Sequence, residues 1–400
     1  MQSGEAASVS SVSFWSSLKE EARKNYIAIF EQEWPTWLAG IFLALVALLI
    51  FLWKGPWGVA AGYRNLGDWI FFFGGIGDER PYSPLLHPIT LTSGGLLIGA
   101  FVSALMSRQF KLHKAPPLEY VKSAVGGVFM GAGAVLAAGC NVGGFYTAAA
   151  MLDFGGVAMM AGLIIGAWIG LRYLLWELEH VKQKGVEQHP PGERWLGVQP
   201  FLGGITMFLV IAAFYLYSVF DNTELGGLLF FGFLIGLIMH RSRFCFVRAF
   251  RCPFMTGDAE MVKVVAMSLV IYGMGVAVIK WAWIQEPSMG VTHNFWTGSL
   301  FGGVIFGIGM LIAGGCASST LWRIGEGQTK MVVTLIAFAL TNSLLARTLK
   351  NFDLYDKLGN GLFIPDTLTW YVTVPIFIVF FVFWAFVAIW NEKSEKLVIF

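Results

Sequence analysis

The sequence predicts an all-α polytopic membrane protein, an inverted repeat of helix bundles that contains broken, half-spanning helices. Of its 400 residues 56% are hydrophobic and 13% are charged, about half the charge of a soluble globular chain. Long uncharged apolar stretches are typical of membrane spans. The 48 glycines favour close packing of membrane helices. An internal repeat predicts that two related bundles are present.

The hydropathy pattern divides the chain into two halves. We expect a cytoplasmic N-terminal segment (1–35), a first transmembrane half (36–176), a hydrophilic linker (177–199), a second half (200–391) and a cytoplasmic tail (392–400). Spans are predicted at 37–53, 91–106, 124–140, 155–171, 201–220, 225–239, 262–283, 297–315, 331–345 and 371–390. Residues 58–77, which include Arg64 and Asp68, predict an interfacial or re-entrant helix.

The internal repeat is the strongest pattern in the chain. Residues 126–140 read GGVFMGAGAVLAAGC and residues 302–316 read GGVIFGIGMLIAGGC. Five glycines and the final cysteine coincide, which a chance alignment of apolar text does not produce. Lys- and Arg-rich loops at 107–122, 172–194 and 241–251 are expected to face the cytoplasm, as are both termini. Under those constraints the two copies run antiparallel, as in many transporters.

Each copy ends where a glycine-rich helix gives way to small or polar residues. The first break reads Gly139-Cys140-Asn141, and the second places Cys316 after Gly315. A half-helix that begins after each cysteine would direct N–H groups and a positive dipole end toward the break. The pattern predicts a site for a small anion beside a polarizable sulfur. The alternative is that each Gly-Cys pair serves only helix packing.

The segment 241–251 is cationic and aromatic, and we expect it to fold back into or along the membrane surface. Arg243 and its neighbours would raise the thiolate fraction of Cys245, or simply anchor the loop at the cytoplasmic face. Cys252 is expected to be exposed and incidental.

Polar side chains also follow the second break. There Glu326 is expected to pair with Arg323 or Lys330 as a structural cap, or to bind a coupling proton; Gln328 lies close by in the sequence.

Composition and spacing exclude several functional classes. Four cysteines are too few for a disulfide framework, and the six histidines are not spaced as metal ligands. With a net charge of +2 and no basic patch, no nucleic-acid partner is expected. Without a P-loop or a catalytic triad, neither an ATP-driven pump nor an enzyme is indicated. No cofactor or metal is predicted, and the partners are a small anion and the lipid bilayer.

Three motifs in order resemble the YeeE/YedE family of bacterial inner-membrane proteins. These motifs are Gly-Cys-Asn at 139–141, the Arg-rich segment 241–251, and Ala-Gly-Gly-Cys at 313–316 followed by Arg323, Glu326 and Gln328. The resemblance implies transport of thiosulfate, or of a related selenium compound, through the bacterial inner membrane. It further implies that Cys140, Cys316 and Cys245 pass the ion by weak S–H···S hydrogen bonds. A soluble sulfurtransferase-like protein at the cytoplasmic face is a candidate partner.

Two other classes stay open from the residues alone. A membrane thiol oxidoreductase would pass electrons between cysteines, although no C-x-x-C pair is present. A membrane anchor would hold a soluble sulfur- or selenium-handling protein through its basic loops. Cysteine-to-serine substitutions separate the three, because only a transporter of the predicted kind loses uptake with Cys140 or Cys316.

Overall fold

The computed structural model describes residues 14–76, 80–181, 192–291 and 296–399. Its helices in chain order are α1 (Phe14–Tyr26, followed by a π-helical turn, Ile27–Glu31), α2 (Thr36–Trp53), α3 (Ala60–Phe73), α4 (Pro88–Met106), α5 (Pro117–Leu136), α6 (Asn141–Ala150), α7 (Phe154–His180), α8 (Glu193–Val219), α9 (Thr223–Arg241), α10 (Phe246–Met255), α11 (Glu260–Trp281), α12 (Trp296–Ala313), α13 (Ala317–Glu326), α14 (Thr329–Asn351) and α15 (Ile364–Ser394).

The described ranges contain nine helical segments that are long and apolar enough to cross a membrane. A tenth span results if α5 and α6, which meet at a bend of 44°, are counted together. Two of the nine, Thr223–Met255 and Trp296–Glu326, each combine a long helix with the short helix that follows it. The predicted all-α polytopic membrane fold is therefore confirmed.

The sequence repeat corresponds to a unit of long, short and long helices. Helices α5, α6 and α7 form the first unit, and α12, α13 and α14 form the second. Partners are exchanged between the units, since α7 packs on α12 while α14 packs on α5. The same exchange relates the preceding helices, because α4 packs on α9 and α2 packs on α11. Helices α2 to α7 thus occupy places that correspond to those of α9 to α14.

The two repeat units run antiparallel where α5 crosses α12. Gly126, in the first half of α5, lies against Gly309 near the end of α12, while Gly133 lies against Gly302. A Cβ atom on Gly133 would stand 2.6 Å from the Gly302 carbonyl oxygen, so only glycine permits this approach. The assignment of each end to a side of the membrane, and hence of both termini to the cytoplasm, stays a prediction.

The segment 177–199 is more helical than its composition suggests. Helix α7 continues to His180, and α8 begins at Glu193; residues 182–191 lie outside the described residues. Glu177 is buried, and its Oε2 lies 2.9 Å from the Nζ of Lys122 on α5. This ion pair keeps the end of α7 on the bundle.

The segment 241–251 turns back into the protein. Helix α9 extends to Arg241, and α10 begins at Phe246 with most of its apolar side chains buried. The ring of Phe250 contacts those of Phe145 and Trp384. The expectation that Cys252 is exposed was wrong, because its side chain is only 8% exposed. Burial follows from the packing of α10 on α7 and α11, which the local sequence does not encode.

Candidate functional site

Cys140 and Cys316 lie at breaks with the same backbone geometry. Cys140 has φ −82° and ψ −177°, and Cys316 has φ −91° and ψ −179°. Two residues earlier in each case the chain adopts a left-handed conformation, at Ala138 (φ 52°) and Gly314 (φ 74°). A short helix begins at the next residue, as the sequence predicts. Both thiols therefore lie at the N-terminus of a half-helix, where the helix dipole is positive.

Three groups of α13 hold the Cys316 sulfur. Its Sγ lies 3.4 Å from the Ser318 hydroxyl oxygen and 3.3 Å from that of Ser319. The backbone N–H of Ser319 also donates to the sulfur, while the Cys316 N–H donates to the Ser319 hydroxyl at 2.7 Å. The thiol is fully buried, so it lies among fixed dipoles without contact with solvent.

Cys140 has a comparable environment with one difference. The backbone N–H groups of Val142 and Gly143 approach its sulfur, as does that of Val59 just before α3. The next residue, Asn141, is fully buried, yet neither atom of its side-chain amide has a hydrogen-bond partner among the described residues. A buried amide without partners is costly. Asn141 therefore offers both a donor and an acceptor to a bound molecule.

The glycines before both thiols make room for the half-helices. A Cβ atom on Gly139 would stand 2.5 Å from the backbone nitrogen of Gly144, and one on Gly315 would stand 3.2 Å from the Ser319 hydroxyl oxygen. Small residues thus let the first turn of each half-helix close tightly against the break.

Cys245 repeats the arrangement a third time, which the sequence did not reveal. Arg243, two residues earlier, has a left-handed backbone with φ 53°. Cys245 is extended (φ −150°, ψ 117°), and α10 starts at the next residue. Cys140, Cys245 and Cys316 therefore each precede a short helix, whereas Cys252 lies inside one.

Electrostatic interactions link these three buried thiols in series. Cys316 lies within electrostatic range of Cys245, and Cys140 lies within range of Cys316. The hydroxyl of Tyr63 lies within electrostatic range of both Cys140 and Cys316, and it donates to the Ala317 carbonyl at 2.9 Å. Cys316 is thus the central member of what we call the thiol cluster. Within the described ranges, no group of three or more His, Cys, Asp or Glu side chains could hold a metal ion.

Two cavities lie beside Arg64, and the smaller one reaches the residue before Cys140. The larger of the two has a volume of about 870 Å³. Its lining is rich in charged and polar side chains, namely Arg64, Asp68, Arg80, Ser343, Arg347, Lys350 and Asn351. A second cavity of about 290 Å³ shares Arg64 with it and extends to Ala138 and Gly139. We name the two cavities together the outer funnel, after the predicted orientation of the chain. Among its described lining residues Asp68 is the one carboxylate, and Arg347 binds it at 3.0 Å, so positive charge predominates.

Sequence reasoning missed most of the outer funnel. Arg64 and Asp68 stand out in the otherwise apolar segment 58–77, but the sequence indicates only an interfacial or re-entrant helix there. Arg347 and Lys350 lie near the end of α14, where basic residues are usually interpreted as interfacial anchors. The charge of Arg64 and Asp68 within an apolar segment was the available signal.

An ion-pair network lies beside the Cys245 break. Arg243 Nη1 lies 2.6 Å from Glu326 Oε1, and Arg243 Nη2 donates to the Gln109 side-chain oxygen at 3.1 Å. Gln328 Nε2 lies 3.4 Å from the second oxygen of Glu326. The structure therefore brings together three predicted supporting residues, Arg243, Glu326 and Gln328.

The expected partners of Glu326 were wrong. Arg323 instead donates to the Gly314 carbonyl oxygen at 2.5 Å. This bond fixes the backbone between the end of α12 and the Cys316 break. Lys330 pairs with Glu119 at 2.8 Å. Because Arg323 is directed back toward Gly314, Arg243 is the cation that reaches Glu326.

Comparison with known proteins identifies sequence relatives among transporters. The family model for sulphur transport matches residues 7–169 and 241–399. The chain is 27% identical over 295 residues to the probable transporter YedE of Escherichia coli, covering 68% of this chain and 70% of that protein. It is 35% identical over 132 residues to the thiosulfate transporter TsuA of Spirochaeta thermophila, covering 33% and 39% respectively.

The family match extends over both halves of the chain. It contains the break at 139–141, the segment 241–251 and the residues from Cys316 to Gln328. The named relatives are transporters, in agreement with the expectation that the protein is not an enzyme. The chain therefore belongs to the sulphur-transport (YeeE/YedE) family of membrane proteins.

Proposed function

We propose that this protein transports a small sulfur-containing anion such as thiosulfate, and that the anion passes along Cys140, Cys316 and Cys245. The observation that carries the proposal is the position of the cysteines. All three precede half-helices, all three are buried and linked in series through Cys316, and one cavity of the cationic funnel reaches Gly139 beside the first of them. The thiosulfate transporter TsuA is a relative over part of the chain.

The chemistry of the cluster suits a transported dianion. Moving a divalent anion into a membrane protein carries a large desolvation cost. Half-helix N-termini offset that cost, because their N–H groups and dipoles favour negative charge. Neutral thiols are weak hydrogen-bond donors, so they hold the ion without trapping it. Conduction requires such weak binding at several successive points.

The proposed route begins in the outer funnel and ends at Arg243. The anion enters past Arg64, passes Cys140 and the amide of Asn141, and continues to Cys316 and Cys245. In this proposal the two repeat units are inverted across the bilayer, with the outer funnel on the periplasmic side and both termini in the cytoplasm. The antiparallel crossing of α5 and α12 supports the inversion.

The decisive experiment is uptake of ³⁵S-labelled thiosulfate into liposomes that contain the purified protein. Cys316→Ala is expected to abolish saturable uptake, because it removes the central thiol, while membrane insertion stays normal. Cys252→Ala is the matched control, since that buried cysteine lies inside a helix and should not affect uptake. Wild-type uptake by Cys316→Ala would refute the thiol route.

Competition identifies the substrate and separates the alternative functions. Selenite, sulfite and sulfate are each added in excess, and their inhibition of labelled thiosulfate uptake is compared. The anion that inhibits most strongly is the one that the protein binds best. Preference for selenite would assign the selenium-related role. A mobility shift on non-reducing gels that depends on Cys245 or Cys316 would favour a thiol oxidoreductase. Uptake only when a soluble sulfurtransferase-like protein is enclosed in the liposomes would favour a partner-dependent role.

A further inference from the structure

Four buried nitrogen atoms without partners lie on Trp322 and on residues that contact it or neighbour those contacts in the chain. Trp322, on α13, is 4% exposed, and His240 and Arg241 at the end of α9 are 0% and 1% exposed. Trp322 Nε1, His240 Nε2, Arg241 Nε and Arg323 Nε are all buried and have no hydrogen-bond partner in the part of the chain that the structure describes. Each such group costs free energy, and four in one region of the fold suggest a site for an acceptor.

The side chains converge on Trp322. The His240 ring packs against the indole with centroids 6.2 Å apart. The guanidinium carbons of Arg243 and Arg323 lie 5.9 Å and 5.3 Å from the centre of the indole ring. His240 Nδ1 lies 2.9 Å from the Ser103 hydroxyl. When that hydroxyl donates to Nδ1, the ring hydrogen is on Nε2 and His240 is a further donor.

The group of residues around Trp322 carries more positive than negative charge. Arg241, Arg243 and Arg323 contribute three cations, and the buried carboxylate is that of Glu326, 2.6 Å from Arg243. A second carboxylate, Glu33, lies 3.6 Å from Arg243 Nε, but its side chain is 67% exposed. Glu326 therefore supplies the only buried negative charge that the described contacts place in this network.

We propose that these residues form an inner anion-binding site between the thiol cluster and the cytoplasm, with the Glu326 carboxylate occupying it when the transported anion is absent. The proposal rests on the transport function above. The ligand class is a small oxyanion, whose oxygens would accept from Trp322 Nε1 and His240 Nε2. On arrival the anion displaces Glu326 from Arg243, and return of the carboxylate expels it.

Displacement of Glu326 can be distinguished from a purely structural role by the affinity of the site for the anion. A carboxylate and an oxyanion compete for the same cation, so each weakens binding of the other. If Glu326 were only a structural partner of Arg243, removing its charge would loosen the site and weaken anion binding. The two roles therefore predict changes in affinity of opposite sign.

The first test measures equilibrium binding of ³⁵S-labelled thiosulfate to the full-length protein in detergent. Trp322→Phe keeps an aromatic ring and removes one donor, and the dissociation constant should rise roughly tenfold, as for loss of a hydrogen bond to a charged group. Trp384→Phe, on α15, is the matched control and should bind as the wild type does. Unchanged binding by Trp322→Phe would overturn the inner site.

The second test uses Glu326→Gln, which keeps the shape of the side chain and removes its charge. We expect several-fold tighter thiosulfate binding and, in liposomes, a lower KM together with a lower maximal rate, because release is no longer driven by the carboxylate. Glu392→Gln, which breaks an exposed ion pair with Lys263, is the control. Weaker binding by Glu326→Gln would overturn the displacement mechanism.

Failure of this proposal is distinguishable from failure of the transport function. If the wild type takes up thiosulfate while Trp322→Phe and Glu326→Gln behave like it, only the inner site is refuted. If thiosulfate neither binds nor crosses, the same binding series is run with selenite, sulfite and sulfate. If Glu326→Gln binds any of these anions more tightly than the wild type does, the inner site is supported with another oxyanion. If none of the four anions, thiosulfate included, binds, the inner site is refuted.

Discussion

Gly126 and Gly309 lie back to back where α5 crosses α12, and a Cβ atom on either would stand 2.7 Å from the carbonyl oxygen of the other. Gly133 and Gly302 form the same reciprocal contact at 2.6 Å. These two pairs join the helices that lead into the breaks at Cys140 and Cys316. Packing at the crossing therefore determines how the two half-helices are placed relative to each other.

We expect Gly133→Ala to destabilise the protein and to lower uptake, because the added methyl group forces α5 away from α12. The measurement is the midpoint of thermal unfolding in detergent, together with thiosulfate uptake. Gly204→Ala, in α8, is the control, since a Cβ atom there meets no described atom within 4 Å. Where space permits, replacing a helical glycine by alanine stabilises by up to about 1 kcal/mol. Equal unfolding midpoints for the two variants would contradict this account of the crossing.

Asn141→Leu separates binding from stability. The Asn141 amide is buried and has no partner among the described residues. An apolar side chain of similar size should therefore leave the unfolding midpoint unchanged or higher. Uptake should fall about tenfold through loss of a hydrogen bond to the charged cargo. Both quantities are measured on the same purified preparation.

Asn391→Leu is the control for Asn141→Leu, and the opposite changes in stability and uptake are expected. Its amide donates to the Pro253 carbonyl and accepts from the Leu397 N–H, so this variant should be less stable and should transport normally per folded molecule. Normal uptake by Asn141→Leu would show that the Asn141 amide does not contact the anion.

Lys350→Gln tests the outer funnel. Removing one of its cations should raise the KM for thiosulfate about threefold at low ionic strength, and the effect should diminish as salt screens the funnel. The maximal rate should change little, because Lys350 lines the larger cavity and not the one that reaches Gly139. Lys393→Gln, on the exposed end of α15, is the control. A KM that rises equally at all salt concentrations would argue against long-range attraction.

The stability of the protein should depend on His87 below neutral pH. Burial, and to a smaller extent the charge of Arg64, lower the pKa of His87 from its usual 6.5, and the nearby Asp68 opposes this only in part. The unfolded chain therefore binds a proton more readily. The contribution of neutral His87 to the free energy of unfolding is fully present above pH 6.5. It is lost as the pH falls toward the lowered pKa of the folded state. His87 is the N-cap of α4, where its Nδ1 accepts from the Thr90 N–H at 3.2 Å.

The measurement for His87 is the unfolding midpoint at pH 5.5 and pH 7.5. His87→Asn retains a capping acceptor and has no titrating group, so its midpoint should fall less between the two values than that of the wild type. An equal fall in both proteins would assign the acid sensitivity to other groups.

Local sequence properties determined the class of the protein and the position of its helix breaks. Hydropathy and glycine content act within single helices, so they predict spans such as α2 and α4 without reference to the rest of the fold. The repeat predicts equivalent breaks at Cys140 and Cys316, because five glycines in register constrain the backbone in the same way.

Only the tertiary structure decided which residues meet. Asp68 and Arg347 are 279 positions apart in the chain and bind each other in the outer funnel, and Arg243 reaches Glu326 from 83 positions away. No local pattern encodes such pairs, since they depend on how whole helices pack. The burial of Cys252 has the same origin. Charge and thiol chemistry are present in the sequence, but these groups converge because the helices of the two halves pack against each other.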